Sequence, residues 1–109
     1  MLAAMTDQRE FVVARWIGHS ASAENGFAEL LAAYHLQTEA EKGVAVADVA
    51  GLPERYRAEV LDPRTVFASD VVLVAMSGED AVGCVVVTAP AQGRTEIKRL
   101  WVDPAMRAV

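Results

Sequence analysis

The sequence predicts an α/β fold of the α+β type, with two N-terminal helices packed on a largely antiparallel sheet. Three observations point there. Apolar residues recur at helical spacing in the first half of the chain, and valine-rich runs dominate the second half. The two central runs are joined by SGED, a suitable hairpin loop.

Residues 10–17, EFVVARWI, are rich in valine and aromatic side chains and read as a first strand. GHSASAEN then reads as a loop leading to a helix cap, with Ser22 as N-cap and Glu24 in the first turn, where the helix dipole favours an acid. Phe27, Leu30, Leu31, Tyr34 and Thr38 follow at helical spacing, and Gly43 suits the stop. VAVADVAGL has no clear period and reads as loop. Pro53 opens a second, shorter helix with Tyr56 and Val60 on one face, closed by Asp62-Pro63.

VVLVAM at 71–76, AVGCVVVTA at 81–89 and residues 95–102 complete a β meander. In the middle strand Val82, Cys84 and Val86 share one side, and Val85 and Val87 the other. A strand apolar on both faces needs cover on both, and two helices on one side supply only half of it. The last strand breaks its own alternation. Ile97 and Trp101 share one parity, Leu100 and Val102 the other, with Lys98 and Arg99 between them. A β-bulge near Lys98 and Arg99 would switch the apolar side and bend the strand from its neighbour.

A chain of 109 residues, with no repeat, low-complexity tract or Pro/Gly-rich linker, reads as a single domain, 1–109. Hydrophobic residues make up 53% and charged residues 23%, which excludes a disordered or fibrous class. A formal charge of -5 argues against nucleic-acid binding, which draws on clustered Lys and Arg. One cysteine, Cys84, excludes an internal disulfide and a cysteine-built zinc site. Asp7 and Glu10 interrupt the start where a secretion signal needs an apolar core, and no apolar run approaches the ~18 residues of a membrane span. Composition thus predicts a soluble, cytoplasmic protein with neither nucleic acid nor membrane as partner.

The order helix, short helix, β meander, closed by EIKRLWVDPAMR, resembles the first half of a GNAT-type N-acetyltransferase. YHLQTEAEKG in the first helix is similar to bacterial members of that family. The resemblance covers nearly the whole chain, and E-I-K-R-L-W-V-x-P-x-x-R is its most specific part. It implies the front half of an acyl-CoA N-acyltransferase fold. It also implies acetyl-CoA as co-substrate and an amine of a small molecule or a protein as acceptor.

In that family the last strand is bulged and splayed, and its backbone grips the pantetheine arm; by position those groups belong to Leu100, Trp101 and Val102. A pyrophosphate loop, Arg/Gln-x-x-Gly-x-Gly/Ala, follows. Arg107 matches its first position, and Ala108 and Val109 fill the next two. The resemblance therefore implies a C-terminally truncated domain, weakly active or inactive alone.

Glu96 matches a glutamate that serves as general base in several members, and its alternative is a solvated strand residue pairing with Lys98 or Arg94. Tyr34 and His35 lie on the helix that borders the acceptor amine, although Tyr34 also fits the core stripe. His35 and Glu39 share a helical face without a third ligand, so no metal site is expected. Cys84 reads as a buried, inert thiol, and His19 suggests no role. Two other readings stand beside acetyl transfer: transfer of a longer acyl group, and a non-catalytic domain that pairs its open sheet with itself or with a partner.

Overall fold

The computed structural model describes residues 10–17 and 21–107, with the backbone alone in 21–25. His19, the side chains of Ser22 and Glu24, and Ala108 and Val109 lie outside the described residues. The elements run β1 (Val12–Arg15), α1 (Ala21–Glu41), α2 (Glu54–Leu61), α3 (Pro63–Val66), β2 (Val71–Ser77), β3 (Asp80–Val87), β4 (Ile97–Val102) and α4 (Pro104–Arg107). The sheet is antiparallel throughout, in the order β1-β2-β3-β4. The predicted fold class stands, as does each of the six elements the sequence predicts.

Helix α1 starts at Ala21, so Ser22 falls inside the helix and not at its cap. Gly43 ends it in the left-handed region, φ +86, where glycine meets no steric penalty. VAVADVAGL is mostly loop but closes in one 3₁₀ turn, Val49–Gly51. Pro53 caps α2 as anticipated; past Asp62, however, Pro63 opens a further one-turn helix, α3, because proline suits a first helical position.

One face of the sheet is packed. Phe27, Leu30 and Leu31 from α1 and Phe67 after α3 meet Val72, Val74, Cys84, Val86 and Trp101. Tilted aromatic pairs run through this layer, Trp16 against Phe27 at 4.9 Å and Phe27 against Phe67 at 5.7 Å. Helix and sheet come so close at Gly26 that an added Cβ would lie 2.6 Å from that of Ala81.

Among the described residues, nothing packs on the other face. Val13, Leu73, Ala75, Gly83, Val85, Leu100 and Val102 line a shallow apolar groove of about 170 Å³ on it. Val13 and Leu100 are each 64% exposed there. Among the described residues the doubly apolar β3 is thus covered on one side only, the half that two helices supply.

Candidate functional site

The groove and the network beside it are shaped by a break in β4. Cys84 pairs with Trp101 and Val86 with Lys98, so Arg99 and Leu100 together face Val85. This is the bulge that the broken alternation predicts. It carries Lys98 and Trp101 on the helix side of the sheet, where Lys98 Nζ lies 5.9 Å from the Phe67 ring. Ile97 and Trp101 share a sequence parity yet fall on opposite faces, for Ile97 pairs with Val87 and is 71% exposed. Arg99 takes the turn with φ +57, a left-handed backbone that side chains disfavour. Its carbonyl accepts the Cys84 thiol at 3.4 Å.

The Arg99 side chain reaches back beneath α2. Its Nε donates to Glu59 Oε1 and a terminal NH₂ donates to Glu59 Oε2, each at 2.8 Å. His35 Nε2 also lies 2.8 Å from Glu59 Oε1, on a ring stacked on Tyr56 at 4.5 Å. An ionised carboxylate only accepts, so His35 carries a proton on Nε2. Arg99 also lies over the rings of Tyr34 (5.6 Å) and Tyr56 (5.7 Å), and Lys42 and Arg55 flank Tyr56 as well. Lys42 pairs with the buried Glu39 at 2.8 Å.

Burial pushes the Glu59 carboxyl up, but the hydrogen bonds from Arg99 and His35, with their charges, outweigh it and hold its pKa at about 2. Burial pushes the Cys84 thiol up to about 12, which agrees with the inert thiol read from its strand position.

The predicted site residues divide between these surroundings. Leu100 and Val102 lie on the open face, and Val102 belongs to the edge strand. Trp101 points the other way, into the core, with its ring edge-on to Tyr34 at 6.4 Å. Arg107 folds back over the Trp101 ring at 4.4 Å and donates from Nε to Val102 O at 2.7 Å. Tyr34, Trp101, Val102 and Arg107 therefore form one contiguous chain of contacts.

His35 is only 2% exposed and joins that chain through Glu59 and Arg99, so it offers a ligand no surface. Glu96 stands apart at the entrance to β4. Its backbone is clamped twice to Thr88, N–H to Oγ1 at 2.8 Å and carbonyl to N–H at 2.9 Å, while the side chain is exposed. Neither the expected Lys98 nor Arg94 pairs with its carboxylate, and the same holds of the other described residues.

Glu59 and Arg99 were not legible as site residues. The available signal was a charge on each apolar surface: Glu59 between Tyr56 and Val60 on the packed face of α2, and Arg99 inside a hydrophobic strand. Among the described residues no group of three or more His, Cys, Asp or Glu is placed to hold a metal, and no helix is long and apolar enough to cross a membrane.

No family model matches this chain, and no curated protein does. Among solved structures, an acetyltransferase of the GNAT family from Staphylococcus aureus Mu50 shares its architecture, with a TM-score of 0.57 at 12% identity. The match covers 90% of this chain and 56% of that one, so the chain spans little more than half the length of its structural neighbour. The fold is that of a GNAT acetyltransferase.

Proposed function

We propose that this chain belongs to an N-acetyltransferase that passes an acetyl group from acetyl-CoA to a primary amine. The observation that carries the reading is the bulge at Arg99 and Leu100 in an edge strand, opening beside an apolar groove on a GNAT fold. An edge strand presents unpaired N–H and C=O groups, and an apolar groove beside them suits a thin amide-bearing arm such as pantetheine.

In this reading the backbone of Leu100, Trp101 and Val102 binds that arm, and Arg107 turns from Val102 O toward the phosphates. Acetyl-CoA, when bound, supplies the acetyl group as a thioester. The amine must be neutral to attack; as its nitrogen bonds to the acetyl carbon the C–S bond breaks and coenzyme A leaves as the thiolate, while Glu96, exposed at the head of β4, accepts the amine proton. Tyr34 borders the acceptor side through its packing on Trp101, and His35 orients Glu59 from beneath.

The test is a titration of the ¹⁵N-labelled chain with acetyl-CoA at millimolar concentration, followed by amide shifts. Shifts centred on Leu100, Trp101, Val102 and Arg107 are expected. Their absence, or shifts centred elsewhere, would overturn the reading. A non-catalytic domain that self-associates is favoured by a different observation, the exposed Val13, Ile97 and Leu100 on the bare face. It predicts shifts on those residues that follow protein concentration and ignore acetyl-CoA.

A further inference from the structure

A left-handed, non-glycine residue inside a strand persists only where its surroundings hold it there. Arg99 is such a residue, and it is held from two sides. On β3, the Cys84 thiol donates to its carbonyl. On α2, forty residues away in sequence, the Glu59 carboxylate takes its guanidinium with two 2.8 Å bonds. Glu59 is itself fixed by His35, and His35 by its stack on Tyr56. We propose that Glu59 is the positioning residue of the β4 bulge: its two-pronged grip on Arg99 keeps that backbone left-handed, so that Arg99 and Leu100 together face Val85 and Lys98 stays on the packed side.

The competing structure is a regular β4. Continued without a bulge from the Trp101–Cys84 pair, Arg99 would face Val86 and Lys98 would face Val87. Lys98 would then leave the packed side, since a one-residue slip exchanges the faces of every side chain beyond it. A planar guanidinium held by a planar carboxylate accepts one orientation, whereas a lysine ammonium would accept many. Buried ion pairs are weak sources of net stability, and selecting one register among several is the use that suits them best. The link of this latch to acetyl transfer rests on the function proposed above, through Leu100, Trp101 and Val102. The latch itself is a property of the fold.

Cys84 supplies a readout independent of catalysis. It is the sole cysteine, it is buried, and it sits under the bulge. The rate at which a disulfide reagent labels it in the 109-residue chain reports opening at that point. Glu59→Gln should speed labelling by about tenfold or more as the bulge loosens locally. Leu30→Ala, a core change that leaves the latch intact, gives the rate expected from lost stability alone when the two are compared at equal stability in urea.

Glycine takes a positive φ without help. The double variant Glu59→Gln/Arg99→Gly should therefore return labelling to within about threefold of the parent. The proposal is overturned if Glu59→Gln labels no faster than Leu30→Ala at matched stability, or if the double variant labels as fast as Glu59→Gln. Should Glu59→Gln fail to fold, Arg99→Lys decides. It keeps the charge but not the fork, so faster labelling than the parent supports the latch and an unchanged rate refutes it. A negative acetyl-CoA titration leaves these rates untouched, so the two readings fail separately.

Discussion

Glu59→Gln also has a thermodynamic signature. The Glu59 side chain is 8% exposed and that of Arg99 18%, so the substitution leaves a largely buried guanidinium without its counter-charge. Breaking a buried pair from one side costs about 3–5 kcal/mol. The carboxyl itself leads to a similar size. Its pKa falls from 4.5 to about 2 on folding, and at about 1.36 kcal/mol per unit the charged form is favoured by about 3 kcal/mol.

A folded-state pKa below the unfolded one contributes stability that is whole above pH 4.5 and is lost as the pH falls toward 2. The groups facing this carboxylate are Arg99 and His35, with Lys42 and Arg55 over the neighbouring Tyr56 and Glu39 paired to Lys42. Urea unfolding followed by circular dichroism should place the variant's midpoint roughly 2 M below the parent's at pH 7. The gap should close as the pH is lowered from 4.5 to 2, because the parent's carboxyl becomes neutral there too. A loss below about 1 kcal/mol at pH 7, or a gap that stays constant down to pH 2, would refute the assignment of a strongly held carboxylate.

Gly26→Ala should destabilise the fold by about 1–3 kcal/mol in the same unfolding assay, since the new methyl would lie 2.6 Å from Ala81 Cβ, and neither methyl can turn away without moving the backbone that carries it. An unchanged midpoint would mean that α1 and β3 do not approach as described. Where acetyl transfer is measurable, Glu96→Gln should lower turnover by about 10²–10⁴-fold with little change in coenzyme binding; activity within a few-fold of the parent at every pH would leave Glu96 a surface charge. The bare face, with Val13, Ile97 and Leu100 more than half exposed, should drive association. Sedimentation is expected to show dimers or larger species at tens of micromolar, about the range where exposed edges pair, and a stable monomer there would count against it.

Periodicity in the sequence was enough for the two longer helices and the four strands and for the packed faces of α1 and β3. The α1 stripe of Phe27, Leu30 and Leu31 is buried as spaced, and Val82, Cys84 and Val86 lie on the packed side of β3. The broken alternation around Lys98 and Arg99 was enough for the bulge, because a strand has a period of two and an extra residue must reverse it. Glycine at 43 and proline at 53 marked helix limits through their own backbone restrictions.

Partners distant in sequence were decided by tertiary structure alone. That β1 pairs with β2 at the sheet edge and that Glu59 meets Arg99 both depend on how the layers stack. Hydrophobic patterning says which face of an element is buried, since burial is non-directional and additive over area. It does not say which charge meets which, because a hydrogen bond is a matter of distance and angle between two atoms that only the folded chain brings together. A glutamate on the packed face of α2 and an arginine within β4 each look like faults when read singly; across the layer between them they complete one another.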